Sequence, residues 1–547
     1  MSYVNNSRSY KGQKPWSPVK SQSKPSASSA PVKPYTKEFM PSLERTINSA
    51  YNYRLTENGA LGYASTGKNL LDMNFKVSSY RGKTELEIYS DFRKAFNENP
   101  LLALRWLFFV RDIRGGLGER RLFRVILSDL ADCGQSAIVN AVLPLIPEYG
   151  RWDDLLPLLN KKSVSASVLS LLKSQLRADI ANMKAGKNVS LLAKWLPSEN
   201  ASSESTKKYA AIVRNYLRWT PREYRKTLSA LRNYIDVIER KMSSSRWSEI
   251  DYETVPSQAN LKYNAAFIRN DYTRRMAYLD ALAQGEANIN SSTLYPHDIL
   301  HRYCNERVYV TNYDSALEKM WESLPDYVQG NGNTLVVADG SGSMTAPIPG
   351  SNIRALEVAN ALAIYFAERC SGEFNNCYIT FSSRPQLVRF GQNNTLAQKI
   401  NEARKHSECT NTNIEATFNL ILQTAIDCHM SQADLPKNVL IISDMEFDCG
   451  TTNKYYSDYA TLFEEIRRRF MEYGYTMPRL VFWNVCSRSG AIPMTKNDAG
   501  VALVSGFSPS VCKMVLSGEL DPYKCLVETL MDHRYDAVEQ AVNLAFK

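Results

Sequence analysis

A multidomain chain is predicted, in which an α-helical repeat region of HEAT-like solenoid type is followed by a doubly wound α/β domain. Three observations predict it. Amphipathic stretches of helical length recur from Ser42 to about Gly330. Beyond Gly330 short runs rich in Val and Ile alternate with helical segments. The 547 residues, 44% apolar and 22% charged, have ordinary globular composition and exceed the size of one typical domain.

The elements follow in order. Residues 1–41 are rich in Ser, Pro and Lys and nearly free of apolar periodicity, so they bury too little surface to offset ordering entropy and read as a disordered basic tail. Residues 42–330 read as the helical region, with helices expected over 85–96, 100–110, 119–132, 136–146, 165–182, 205–218, 221–241 and 260–283. Turns such as IPEYGRWDDLL and RWTPREY suggest stacked helical hairpins, although no fixed sequence period is visible. Residues 331–547 read as the α/β domain, with strands expected over 334–339, 376–383, 438–444, 479–485 and 500–506. Helices are expected between them over 353–370, 394–405, 413–430 and 458–474, then over 509–517 and 522–546. Buried Val/Ile strands alternating with helices are the pattern of a parallel sheet covered on both faces.

Charge separates the same segments. The total is +10, but residues 1–41 hold 7 basic and 1 acidic side chains, residues 42–330 hold 40 and 32, and residues 331–547 hold 19 and 23. Residues 151–250 alone carry 19 basic against 9 acidic groups, so any basic partner surface is expected before residue 331. No apolar run reaches the roughly 20 residues that cross a bilayer, and MSYVNNSRSYKGQKPW has no apolar signal segment. Ten cysteines occur without a CxxC pair, which indicates neither a zinc-finger array nor a disulfide framework and suits reduced thiols in a cytoplasmic protein.

In a doubly wound sheet, ligands bind beyond the carboxyl ends of the strands. The first strand runs into Asp339-Gly340-Ser341-Gly342-Ser343, the third into Ser443-Asp444-Met445-Glu446, and Thr410-Asn411-Thr412 precedes a helix. Two carboxylates with several hydroxyls and no soft ligand form a hard-oxygen set that suits Mg²⁺ or Mn²⁺. These residues resemble the metal-ion-dependent adhesion site of von Willebrand factor A domains, over about the last 215 residues. The resemblance implies that Ser341, Ser343 and Thr410 bind the metal through their hydroxyls. It also implies that Asp339 and Asp444 hold it directly or through water, and that an acidic group of a protein partner fills the open position. Cys409 departs from the glycine that often precedes the Thr, and Thr412 is the fallback ligand.

Basic helices interleaved with aromatics bind RNA by neutralising phosphates and stacking on unpaired bases. Candidate residues are Arg111, Arg114, Arg120 and Arg121 in one segment. A second segment supplies Lys207, Lys208, Arg214, Arg218, Trp219, Arg222, Arg225 and Lys226. The glycines of RGGLGER match neither a Walker loop nor a dinucleotide fingerprint and read as a turn between helices. A basic helical region followed by an A-type domain resembles the Ro autoantigen class, whose repeat region is the TROVE module. The strings RDIRGGLGER, EYGRWDDLL and ISDMEFD resemble still more closely an uncharacterised TROVE-like family of phages, bacteria, plants and fungi. The resemblance implies a helical ring closed by the A domain that binds small structured RNAs and single-stranded RNA ends.

Catalysis has little support. His297 and His301 are four apart, but HDILH is not HExxH, and no GxSxG elbow occurs. Glu446 and Asp448 near the metal motif are the residues a nuclease would need. The expectation is therefore a non-enzymatic RNA-binding ribonucleoprotein component with a metal-dependent partner site and no membrane association. The competing expectation is a metal-dependent protein interaction scaffold without RNA.

Overall fold

In the computed structural model the described residues are 52–291, 293–304, 313–328, 333–381, 384–406, 413–448, 462–493, 501–507 and 521–545. The tail expected over 1–41, the helix expected over 509–517 and the loop carrying Thr410 and Thr412 lie outside them. The described chain starts with a hairpin that helical periodicity gave no reason to expect: β1 (Tyr53–Leu55) pairs antiparallel with β2 (Leu61–Tyr63). Its tip is Asn58-Gly59, with Gly59 at φ +87°, a conformation glycine adopts without a Cβ penalty.

Helices of seven residues or more are numbered in chain order. The first group comprises α1 (Asn69–Phe75), α2 (Glu85–Glu98), α3 (Pro100–Arg111), α4 (Arg120–Asp132) and α5 (Ser136–Val142). Local chemistry sets their starts. Thr84 and Glu87 form a capping box on α2, and Asn99 caps α3 ahead of Pro100 at its first position. A 3₁₀ segment, Trp152–Asn160, leads to α6 (Ser165–Lys184), α7 (Glu204–Leu217) and α8 (Pro221–Tyr234). Then come α9 (Ser257–Asn270), α10 (Tyr272–Gln284), α11 (Pro296–Tyr303) and α12 (Ser315–Glu322).

Two long helices expected from periodicity are broken. The stretch 221–241 stops at Tyr234 because Asp236 takes a left-handed φ of +58°. The stretch 260–283 divides at Asp271, whose φ of −142° and ψ of 46° leave the helical region. Between α3 and α4 the RGGLGER glycines do form a turn. Gly118 has φ +70°, and a Cβ there would lie 2.0 Å from the Tyr295 hydroxyl, which donates to the Leu117 carbonyl at 3.2 Å.

The C-terminal sheet contains β3 (Thr334–Asp339), β4 (Cys377–Phe381), β5 (Gln386–Arg389), β6 (Asn438–Ser443), β7 (Arg479–Asn484) and β8 (Val501–Ser505). Their order is β5-β4-β3-β6-β7-β8, parallel throughout except for β5, which pairs antiparallel with β4 at the edge. The expected strands are present, and β5 makes the sheet mixed rather than purely parallel. Helices α13 (Ala355–Arg369), α14 (Leu396–Lys405), α15 (Ile414–Asp427) and α16 (Leu462–Glu472) alternate with the strands. α13 is buried along nearly its whole length, and its Phe366 ring meets Trp483 of β7 edge-on at 5.6 Å. The expected helix 522–546 is two helices, α17 (Pro522–Leu530) and α18 (Asp536–Ala545).

The core does not stop at residue 330. Residues from Asn52 onward cluster as one compact unit, and α17 and α18 pack on α3 and α5. Charge is buried at this junction. Arg105 of α3, 1% exposed, bonds the Leu530 carbonyl at 2.8 Å and pairs with Asp536 and Glu539 at 2.8 and 2.5 Å. Arg534 pairs with buried Asp112, which also accepts from the Tyr535 hydroxyl at 3.2 Å. Breaking one partner of such a pair strands the other, which costs far more than an exposed pair contributes. Among the described residues no helix is long and apolar enough to cross a membrane.

Candidate functional site

β3 is the strand at which the order reverses, because β4 lies on one side of it and β6 on the other. In open α/β sheets a crevice forms at the carboxyl end of that switch point. Asp339 ends β3 and Asp444 follows β6, and the parallel register that sets Ala338 beside Ile442 brings them to one edge. Asp339 accepts from the Ser341 amide at 2.9 Å on one oxygen and from the Ser443 hydroxyl at 2.6 Å on the other. The Ser341 and Ser343 hydroxyls lie 3.0 Å apart, and Ser343 also bonds Asp444. Asp339, Ser341 and Asp444 are each 1% exposed.

Two buried carboxylates at one edge repel each other. Burial first, and then the charge of Asp444, push the Asp339 carboxyl up to about 7. Burial also raises Asp444, opposed by its bond from Ser343 and by the Arg488 guanidinium, which stands 3.3 Å away. The pair is therefore short of positive charge, and the four oxygen-bearing side chains Asp339, Ser341, Ser343 and Asp444 fit a hard divalent cation. No three His, Cys, Asp or Glu side chains cluster as a metal site among the described residues, so a cation here must lean on the hydroxyls. The expected ligand Thr410 lies outside the described residues.

Arg488, Glu57 and Thr56 shape this edge and were not expected from sequence. The Arg488 side chain joins Asp444 to Glu57 of the hairpin, at 2.8 Å from Glu57. Glu446 is a staple rather than a free carboxylate. One of its oxygens accepts from the Arg488 and Ser489 amides at 2.7 Å each and from the Ser487 hydroxyl at 3.2 Å. The other accepts from the Glu57 amide at 2.8 Å. Those bonds engage one of the two carboxylates a nuclease reading would use; the other, Asp448, forms a β-bridge with Gly59 of the hairpin through its backbone. The Thr56 hydroxyl donates to the Phe447 carbonyl at 2.6 Å, so the hairpin is strapped across the loop that follows β6. The available signal was Asn58-Gly59 between two short apolar runs.

The expected RNA-binding residues fall in two places. On α7 and α8, Lys208, Arg218, Arg222, Arg225 and Lys226 are exposed and have no carboxylate partner among the described residues. Arg222, Arg225 and Lys226 follow helical spacing along α8, and Arg218, at φ +59°, ends α7. Lys207 pairs with Glu204 at 2.6 Å and Arg214 with Glu199 at 3.2 Å. Trp219 is half-buried against Tyr224, ring centroids 6.5 Å apart.

The first segment behaves differently. Arg111 is 1% exposed and pairs with fully buried Asp154 at 2.8 Å, so its guanidinium faces the interior and not a ligand. Arg114 is exposed and bonds the Glu148 carbonyl at 3.2 Å. Arg121 bonds the Tyr80 and Lys83 carbonyls at 2.7 and 2.9 Å, while Arg120 lines a cleft. His297 and His301 make no metal pair: His297 is buried between aromatic rings, and His301 bonds Glu357 at 2.6 Å.

Residues 56–160 and 200–334 match the family model described as Domain of unknown function (DUF2828). Residues 333–541 match Domain of unknown function (DUF7788). Uncharacterized protein L728 of Acanthamoeba polyphaga mimivirus is 30% identical over 520 residues, covering 88% of this chain and 87% of that one. The crystal structure of the Deinococcus radiodurans Ro (RSR) protein matches 82% of this chain and 93% of its own at 13% identity. The TM-score of that match is 0.32.

Proposed function

The chain belongs to the family of the mimivirus protein L728, and from that premise we propose that it is an RNA-binding ribonucleoprotein component. The observation that carries the reading is the set of exposed cations on α7 and α8, Lys208, Arg218, Arg222, Arg225 and Lys226, none held by a carboxylate among the described residues. Elsewhere arginines such as Arg81, Arg93, Arg105, Arg111 and Arg124 are paired. Cations not engaged by a carboxylate are open to phosphates and release counterions on binding them. The partly exposed Trp219 ring beside them would stack on a base. The helical part is read as a TROVE-like repeat, and the ligand as small structured RNA or single-stranded RNA ends.

In the same proposal the C-terminal part is a von Willebrand factor A-type domain with a Mg²⁺ (or Mn²⁺) site. Asp339, Ser341, Ser343 and Asp444 would hold the cation, with Thr410 as the further hydroxyl ligand. The ion would neutralise the carboxylate pair and offer an open position to an acidic group of a protein partner. The chain's own residues prepare that place. Ser443 and the Ser341 amide fix the Asp339 carboxylate, and Arg488 steadies Asp444 from the hairpin side.

Crosslinking of the full chain in cells followed by sequencing of attached RNA tests the proposal. Recovery of defined small RNAs or RNA ends above background is expected. Recovery of none, with a protein partner captured in a Mg²⁺-dependent manner, would replace it with the scaffold reading.

A further inference from the structure

A cleft of about 850 Å³ opens between α2, α4, the end of the 3₁₀ segment and the loop at Pro349–Ser351. Its volume falls in the range of sites that take small organic ligands. Its wall is basic: Arg81, Arg120, Arg121, Arg124 and Lys161 line it against Glu85 and Glu119. Most of these cations are committed. Arg81 forks onto Glu119, Arg121 holds two backbone carbonyls, Arg124 pairs with Asp153 and Asp154, and Lys161 pairs with Asp132.

Arg120 is the exception. It is half-buried, lines the cleft, and makes no hydrogen bond or ion pair of its own among the described residues. Burial pushes its guanidinium down, with Arg124 and Arg111 adding to the effect and Asp153 and Asp154 opposing it from a distance. A guanidinium fork matches phosphate geometry. On the same wall stands the half-buried Tyr89 ring, whose hydroxyl is anchored on Glu85 at 3.0 Å, and an aromatic face stacks on any base. Ser128 and Asn160 add neutral polar groups.

We propose that this cleft is a nucleoside-phosphate site, with Arg120 on the phosphate and Tyr89 against the base. It is separate from the α7–α8 surface and stands or falls independently of it. A free nucleotide and the phosphorylated end of an RNA strand present the same chemistry.

The test is calorimetry on the full chain with AMP, GMP, CMP and UMP, and with adenosine and inorganic phosphate as controls. Binding of the monophosphates at one site per chain is expected, with adenosine and inorganic phosphate each at least about tenfold weaker. Arg120→Gln should weaken monophosphate binding about tenfold or more, Arg120→Lys less, and Tyr89→Leu should reduce nucleotide binding but not phosphate binding. Arg269→Gln, an exposed position on α9 outside both surfaces, should change none of these. Each variant is checked for an unaltered circular dichroism spectrum and melting temperature. A 5′-phosphorylated oligoribonucleotide compared with its 5′-hydroxyl form then separates the sources: a gain from the phosphate points to a strand end, and no gain to a free nucleotide. No monophosphate binding, inorganic phosphate binding as tightly as nucleotide, or undiminished binding by well-folded Arg120→Gln would each overturn the proposal.

Discussion

Replacing Asp154 with Ala should be among the most destabilising single changes in the chain. Asp154 is 1% exposed. It accepts from the Arg111 side chain at 2.8 Å, the Arg124 side chain at 2.7 Å and the Arg151 amide at 2.9 Å. Arg124 has Asp153 as a second partner at 2.8 Å and is a quarter exposed, so it keeps both charge compensation and some water. Arg111 has neither, being 1% exposed with Asp154 as its carboxylate. Removing one partner of a buried pair costs about 3–5 kcal/mol, a large share of the roughly 5–15 kcal/mol that holds a typical fold together. At about 2 cal/mol/K per residue, a cooperative unit of about 500 residues would melt about 3–5 °C lower. Urea unfolding followed by tryptophan fluorescence measures the loss, with Asp153→Ala as the reference. Asp153 is 19% exposed and shares Arg124 with Asp154, so its removal should cost no more than about 1 kcal/mol. Joint replacement of Arg111 by Met and Asp154 by Leu should recover much of the loss, because neither charge is then stranded. Equal costs for Asp154→Ala and Asp153→Ala would refute the reasoning.

Three other outcomes are expected. Asp339→Asn should remove the heat of Mg²⁺ binding in calorimetry yet raise the melting temperature of the metal-free protein at pH 8, because burial and the Asp444 charge penalise the ionised Asp339 carboxyl; a lowered melting temperature would contradict the like-charge reading. His301 is raised by its bond to Glu357, which ties α11 to α13. Its contribution is therefore full below the ordinary histidine value of about 6.5 and lost as pH rises through the raised folded value. His301→Gln should cost up to about 1 kcal/mol at pH 5.5 and less at pH 8.5 in urea titrations, given that the ring is a third exposed. Gly118→Ala combines a left-handed φ of +70° with a Cβ 2.0 Å from the Tyr295 hydroxyl and should cost about 1–3 kcal/mol; Gly134→Ala, at φ +87° in open space, should cost less.

What was legible in the sequence depended on periodicity and on strand ends. The Val/Ile runs gave β3, β4, β6, β7 and β8, and their polar ends located Asp339, Ser341, Ser343 and Asp444 at one edge. The hairpin was hidden because three-residue strands carry almost no alternation, and nothing local links Glu57 to Arg488, which lies more than 400 residues further on. Arginine was the residue type read least well. RDIRGGLGER and GRWDDLL look like solvated basic turns, yet Arg111, Asp112 and Asp154 are core groups paired across 43 residues in one case and 422 in the other. A guanidinium on a helix has the same one-dimensional signature whether it meets water, phosphate or a buried carboxylate. The partner decides, and the partner is tertiary.

The most direct test is the salt dependence of RNA binding by the full chain and by the triple variant Arg218→Gln, Arg222→Gln, Arg225→Gln. Each phosphate contact on single-stranded RNA contributes about 0.7 to the slope of log affinity against log salt. The variant should therefore bind more weakly at low salt with a slope shallower by about 2. An unchanged slope at unchanged affinity would remove the RNA interface from α7 and α8.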